Sequence, residues 1–131
     1  MLVDLDDFKA VNDVHGHAAG DEVLRRLGAL LAEHVRPGDL ALRIGGDEFA
    51  VLLHDGGVDP AAFEAAVRQR AADLQTTVAT TTWDDVAGAL AVRVSVGVAV
   101  GILGRDQPDT ATGVYRAADA DLYAAKAGSA R

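Results

Sequence analysis

The sequence predicts an α+β domain in which helices flank a central, mainly antiparallel β-sheet. Two short apolar runs bracket a Gly-Gly step at residues 45–46. This pattern is typical of a β-hairpin, because glycine adopts the positive φ of a tight turn without steric cost. An alternating apolar run at residues 91–100 indicates a further strand. Longer segments repeat apolar residues every three or four positions, as the buried stripes of helices do.

Local sequence signals divide the chain into elements in the order β-α-α-β-β-α-β-β-α. Asp59 and Pro60 mark the start of one helix, since Asp caps helices and Pro fits their first position. The β-branched residues at 76–82 indicate a strand, and residues 15–20 a loop. The predicted elements are strand 1–5, helix 8–13, helix 21–35, strands 40–42 and 49–53, a helix beginning at 60, strand 76–82, strand 91–100 and helix 112–127.

Length and composition indicate one domain with a hydrophobic core. The chain has 131 residues, of which 50% are hydrophobic, and no stretch within it resembles a linker. A net charge of −8 argues against non-specific binding to nucleic acid or to an anionic membrane. No apolar run reaches the length of a membrane span, and there is no cysteine for a disulfide or a thiolate zinc site. We therefore expect a soluble cytoplasmic domain.

Two acidic residues, Asp47 and Glu48, follow the Gly-Gly step directly. Carboxylates crowded beside bare backbone repel each other, so they either face water or hold a cation between them. A solvated hairpin end and a cation site are therefore both open interpretations of this turn.

A second acidic group ends the first predicted strand. Asp4 and Asp6 would share one face of that strand, where two carboxylates suit a divalent cation with oxygen ligands. The alternative is that Asp6 or Asp7 caps the following helix. If the first strand lies beside the hairpin, Asp4 and Asp47 meet at one rim. They could then clamp two divalent ions on a triphosphate, as two-metal transferase sites do.

Other polar residues have ordinary structural explanations. His15 and His17 have no third soft ligand nearby, so a structural or hydrogen-bonding role is favoured over metal binding. Asp21 lies near the start of a predicted helix and Lys126 in the last turn of another. Both charges complement the helix dipole there.

Several motifs in order along nearly the whole chain resemble the GGDEF family of diguanylate cyclases. They lie at residues 4–13, 16–17, 20–21, 45–49, 95–99 and 118–126. The resemblance implies a nucleotidyl-cyclase-like fold and a single GGDEF domain over residues 1–131. It also implies a reaction in which two GTP molecules, held by the two subunits of a homodimer, are joined into cyclic di-GMP with release of pyrophosphate.

The same resemblance implies a catalytic centre. Asp4 and Asp47 match the carboxylates that bind two Mg²⁺ or Mn²⁺ ions per half-site, assisted by the backbone carbonyl of Leu5. Glu48 matches an acid that binds metal or accepts the hydroxyl proton. The protein's contribution in such a site is mainly positioning and charge neutralisation.

The implied substrate-binding positions are Asp7, Phe8, Asn12, Asp21, Gly45, Gly46 and Lys126. Asn12 and Asp21 match the residues that read guanine. An Asp carboxylate can accept from both N1–H and the 2-amino group of guanine, which favours GTP over ATP. The backbone at residues 7–8 and the Lys126 ammonium match phosphate-holding positions, and the glycines match a turn that lies close to the nucleotide.

Arg36 and Asp39, just before the hairpin, are similar to the family's RxxD inhibitory site, where cyclic di-GMP binds as product. Arginine presents a planar fork that suits a guanine edge or a phosphate. The alternative is a local salt bridge in a turn, worth at most about 1 kcal/mol when exposed.

The sequence departs from the family pattern at both ends. It lacks the family's N-terminal segment with its D-x-L-T-G-L-x-N-R motif, and Arg131 lies one place later than the arginine of K-x-x-G-R. Two functions are therefore considered. One is an active diguanylate cyclase, and the other is a weak or inactive GGDEF module that binds GTP or cyclic di-GMP as a regulatory domain.

Overall fold

The computed structural model describes residues 1–104 and 109–129, of which residue 129 is described for its backbone alone. Arg131 and part of the predicted loop at 101–112 lie outside these ranges. Eight elements occur within them: β1 (Leu2–Leu5), α1 (Phe8–His15), α2 (His17–Glu33), β2 (Leu40–Gly45), β3 (Glu48–Leu52), α3 (Pro60–Thr80), β4 (Val94–Gly97) and α4 (Ala111–Ser129).

The four strands form one antiparallel sheet in the order β2-β3-β1-β4. The predicted α+β class and the predicted hairpin are confirmed. β1 lies in the interior of the sheet, between β3 and β4, so the first strand is indeed a neighbour of the hairpin. This position brings the end of β1 next to the acidic turn.

Strand alternation gives the sheet two different faces. One face carries the larger core, in which Val3 and Leu5 of β1 and Phe49 of β3 pack with side chains of α2 and α3. The opposite face is covered by α4, and its smaller cluster comprises Leu2, Ala50, Ala118 and Leu122. Asp4 alternates with Val3 and Leu5 and therefore lies on the α4 face.

The helix α4 approaches β4 closely at Gly97. A Cβ added there would lie 2.1 Å from the carbonyl oxygen of Ala118 and 2.5 Å from the backbone nitrogen of Leu122. Both contacts are with helix backbone, so no side-chain rotation relieves them. Glycine at this position sets how near α4 comes to the sheet.

The predicted strand at residues 76–82 is wrong, because α3 continues through Thr80. The threonine hydroxyls bond back to carbonyls of the preceding turn, as Thr77 Oγ1 does to Asp73 O at 2.9 Å. Val67, Ala71, Leu74 and Val78 form one buried stripe at helical spacing. Tertiary burial of that stripe outweighs the β preference of the threonines.

Two other predicted boundaries are also corrected. Within the predicted strand 91–100, only residues 94–97 pair with β1. The predicted loop at 15–20 reduces to Gly16, whose φ of 85° ends α1 and precedes α2. Residues 17–20 are already helical.

The hairpin turn lies one residue later than predicted. Gly45 still belongs to β2 and pairs with Glu48, so the turn residues are Gly46 and Asp47. Neither Gly45 nor Gly46 has a positive φ, so the predicted reason for these glycines is wrong. None of the helices in the described ranges is both long enough and apolar enough to span a membrane.

Candidate functional site

A row of polar residues crosses the α4 face of the sheet. Asp4 of β1 pairs with Glu48 of β3 on one side and with Ser95 of β4 on the other. Directly paired residues of antiparallel strands point to the same face. The strand register therefore aligns two acids and one hydroxyl at the end of the sheet where β1 terminates.

Asp4 is the buried acid of this row. Its side chain is 9% exposed, and its Oδ1 accepts a hydrogen bond of 2.6 Å from the Lys126 ammonium of α4. Burial raises the pKa of the Asp4 carboxyl, Lys126 opposes that effect, and the charges of Asp47 and Asp6 add to it. Burial alone would lower the pKa of Lys126, but the bond to Asp4 and its charge raise it. The Lys126 ammonium therefore binds one oxygen of the carboxylate that is predicted to bind metal.

The acidic turn is attached to the end of β1 through its backbone. The Leu5 amide donates to the Asp47 carbonyl at 3.2 Å. Arg43 donates from Nε and from one terminal nitrogen to the Gly46 carbonyl, at 3.1 and 2.8 Å. Neither the Asp47 nor the Glu48 carboxylate has a hydrogen-bond partner among the described residues. The turn therefore holds both acids beside Asp4 and leaves their side chains available.

The structure shows what the side chains of Asp6 and Asp7 contact. Asp6 accepts a 2.7 Å hydrogen bond from the Ser95 hydroxyl, which is almost completely buried, so its carboxylate belongs to the polar row. Asp7 occupies the N-cap position of α1 with a φ of 54°, but its side chain makes no capping hydrogen bond. Side-chain capping by either acid, the alternative considered for this motif, is therefore not observed.

An open cleft of about 440 Å³ adjoins the polar row. Two acidic and two basic residues contribute to its lining, namely Asp6, Asp7, Arg93 and Lys126. The cleft can therefore meet both the phosphates and the bridging cations of a polyanionic ligand.

The two predicted guanine readers are brought together by the packing of α1 against α2. The Asn12 side chain lies against Gly20, the residue immediately before Asp21. Asn12 is half-buried and Asp21 is exposed. Neither side chain has a hydrogen-bond partner in the described part of the protein.

The residues around Asp4 fit a divalent cation that also binds substrate. Hard carboxylate and carbonyl oxygens from Asp4, Asp47 and Leu5 are suitable donors for Mg²⁺ or Mn²⁺. Over residues 1–104 and 109–129, no three His, Cys, Asp or Glu side chains form a complete metal-binding group. Mg²⁺ sites commonly use one or two carboxylates together with substrate phosphates.

The predicted inhibitory pair does not form the salt bridge considered as its alternative. The Asp39 side chain, 4% exposed, accepts from the backbone amides of Arg36 at 3.1 Å and His54 at 3.3 Å, and it pairs with Arg70 at 3.5 Å. The Arg36 guanidinium is exposed and has no bonding partner among the described residues. Asp39 therefore shapes the turn, and Arg36 faces solvent.

Asp39 should make stability depend on pH. Burial would raise the pKa of its carboxyl, but the amides of Arg36 and His54 and the charge of Arg70 outweigh burial and lower it. A lowered pKa means that the stabilisation is fully present above the ordinary Asp value of about 3.9 and is lost as pH falls through the folded-state pKa. We expect Asp39→Asn to reduce the free energy of unfolding by about 2 kcal/mol at pH 7. Urea unfolding at pH 7 and below pH 4 should show this difference narrowing in acid.

Asp84→Asn is the matched control, because Asp84 is exposed and unpaired in the described part of the chain. Asp84→Asn should leave the free energy of unfolding almost unchanged at both pH values. If Asp39→Asn lowered the free energy of unfolding by the same amount at pH 7 and below pH 4, a stabilising role for the ionised carboxylate would be contradicted.

Two supporting residues were missed in the sequence. Arg43 holds the Gly46 carbonyl, and Ser95 holds Asp6. The available signal was their polarity within otherwise apolar strand segments. A polar side chain there needs either solvent or a partner.

The fold and the polar row define an α+β domain with an acidic centre at one end of an antiparallel sheet. A family model described as "Diguanylate cyclase, GGDEF domain" matches residues 1–131. The chain belongs to the GGDEF family.

Individual relatives agree with this assignment. The chain is 33% identical over 126 residues to the probable diguanylate cyclase DgcT of Escherichia coli, covering 96% of this chain and 26% of DgcT. The GGDEF domain of YfiN (TpbB) from Pseudomonas aeruginosa superposes with a TM-score of 0.78 at 32% identity, covering 97% of this chain and 74% of that one. The GGDEF domain of DgcB from Caulobacter crescentus, solved in complex with c-di-GMP, superposes with a TM-score of 0.78 at 28% identity. The match covers 97% of this chain and 70% of that one.

Proposed function

We propose that this chain is a diguanylate cyclase domain that condenses two GTP molecules into cyclic di-GMP. The observation that carries the proposal is the strand register, which pairs the buried Asp4 with Glu48 and places both next to the turn that carries Asp47. Membership of the GGDEF family supplies the reaction class.

The protein residues neutralise and orient the triphosphate. Asp4 and Asp47 would hold two Mg²⁺ or Mn²⁺ ions, with the Leu5 carbonyl as a further ligand. When bound, the ions offset the phosphate charge and activate the reacting oxygens. The ammonium of Lys126 and the amides at residues 7–8 hold the phosphates. Gly46 leaves open space at the turn, since no atom lies within 4 Å of a Cβ added there.

Two half-sites are needed for each product molecule. In each step the 3′-oxygen of one GTP bonds to the α-phosphorus of the other, and the bond to the leaving pyrophosphate breaks. Glu48 either takes the hydroxyl proton or assists in metal binding. Because each domain holds one GTP, two copies of the chain must face each other in a homodimer.

The direct test is to incubate the purified chain with GTP and Mg²⁺ and to measure cyclic di-GMP by chromatography over a range of protein concentrations. We expect product, with a rate that rises faster than linearly with protein concentration. Absence of product together with absence of GTP binding would overturn the proposal.

We further propose that Arg36 mediates inhibition by the product. Its exposed guanidinium can bind a guanine edge or a phosphate of cyclic di-GMP, while Asp39 keeps the turn in shape. Arg36→Ala should raise the cyclic di-GMP concentration for half inhibition by about tenfold or more, without changing stability. Inhibition curves should be compared with those of Arg116→Ala, another exposed arginine. Equal inhibition of Arg36→Ala and the unmodified chain would refute the assignment.

A second candidate function is a GGDEF module that binds nucleotide without turnover. The bond between Lys126 and Asp4 favours it, because the carboxylate predicted to bind metal is already neutralised by an ammonium group. Binding of cyclic di-GMP without product formation would select this alternative.

A further inference from the structure

We propose that Gly20 is a positioning residue that lets Asn12 adopt the orientation needed to read guanine. This inference rests on the proposed function, and it adds a specificity-determining position to it. It starts from the location of Gly20, which is buried in the first turn of α2 as the fourth residue of that helix. Glycine is among the least favourable residues inside a helix, so its presence there needs a packing explanation.

The explanation is a close contact with Asn12. A Cβ added at Gly20 would lie 2.0 Å from Asn12 Oδ1 and 2.9 Å from Asn12 Cγ. Even alanine therefore cannot be accommodated while the Asn12 side chain keeps its present place. The Phe8 ring is the next neighbour, at 3.2 Å, and a small shift relieves that contact.

Packing alone fixes the Asn12 amide. Neither its oxygen nor its nitrogen is hydrogen-bonded to protein groups within the described ranges. A half-buried amide without protein partners is free to bind a ligand edge. Since Asp21 follows Gly20 directly, the missing Cβ lets the amide lie against the helix turn that carries Asp21. Asn12, Gly20 and Asp21 thus form one base-reading unit.

The same helix provides a matched control. Gly28 also lies within α2, but a Cβ added there would meet only the Phe49 ring, at 3.7 Å, an ordinary van der Waals distance. Gly28→Ala therefore makes the same chemical change in the same helix without touching the base-reading unit.

The experiment combines nucleotide binding with unfolding. Calorimetry would measure the Kd of GTP and ATP analogues whose α–β phosphate bridge cannot be cleaved, with Mg²⁺ present. Gly20→Ala should raise the Kd of the GTP analogue by about tenfold, because a guanine hydrogen bond is lost. The preference of the protein for the GTP analogue over the ATP analogue should fall accordingly. Gly28→Ala should leave both Kd values unchanged.

A double-mutant cycle with Asn12→Ala isolates the coupling. Gly20→Ala alone should lower Tm by roughly 5 °C, whereas in the Asn12→Ala background it should not lower Tm or weaken the GTP analogue further. Independent, additive effects of the two substitutions would overturn the inference, as would unchanged binding by Gly20→Ala. If the unmodified chain shows no preference for the GTP analogue, the proposed function fails. The unfolding cycle still reports separately whether Gly20 sets the position of Asn12.

Discussion

Asp47→Asn should lower the rate of cyclic di-GMP formation by at least about a thousandfold, the scale expected when a charge-stabilising group is removed from a transferase site. The substitution keeps the size of the side chain and the backbone bond from the Leu5 amide to the Asp47 carbonyl. It removes the negative charge that faces the proposed metal ions and replaces one carboxylate oxygen with an amide nitrogen, which does not bind Mg²⁺. Initial rates at saturating GTP and Mg²⁺ would measure the effect.

Asp84→Asn is the control for charge removal and should retain full activity. Unfolding by urea should give similar midpoints for both variants, because the Asp47 carboxylate has no hydrogen-bond partner among the described residues. Normal turnover by a folded Asp47→Asn protein would eliminate the metal assignment at the turn. The GGDEF fold assignment would be unaffected.

Gly97→Ala should cause a large loss of stability. The added methyl would overlap with the backbone of α4 at Ala118 and Leu122, so the helix must move away from β4. We expect the free energy of unfolding to fall by about 3 kcal/mol, at the upper end of overpacking effects. Denaturant titration monitored by circular dichroism would measure it.

Gly88→Ala makes the same change where no atom lies within 4 Å of the added Cβ and φ is not positive. It should change the free energy of unfolding by less than about 1 kcal/mol. If the two alanine variants were equally stable, the close approach of α4 to β4 would not be a real constraint on the fold.

The parts of the fold that could be predicted are those with a strong local pattern. The hairpin follows from two short apolar runs on either side of a Gly-Gly step, and α2 follows from its apolar stripe. The prediction failed at residues 76–82, where β-branched threonines suggested a strand. Their hydroxyls find carbonyl partners within the helix, and Val78 continues a buried stripe whose partners lie far away in the sequence.

The same distinction between local patterns and contacts that are distant in the sequence applies to the candidate site. Asp4 and Asp47 can be selected from the sequence because they match motifs of the GGDEF family, whereas their charge and position alone are also consistent with exposure to water. The pairing of Ser95 with Asp6, 89 positions apart, depends on strand register, which local patterns do not specify. Likewise, the contact between Asn12 and Gly20 depends on the angle at which two helices pack.

The polar row across β3, β1 and β4 has a consequence for how the activity of such a domain can be lost. Because side chains alternate, a shift of β1 by one residue would turn Asp4 into the apolar core and expose Val3 and Leu5. The strand register therefore keeps Asp4, Glu48 and Ser95 on one face as long as the strands stay paired. Functional decay in descendants of this chain should therefore proceed by exchange of individual side chains on an unchanged backbone, so that overall shape is a poor guide to whether such a domain still works.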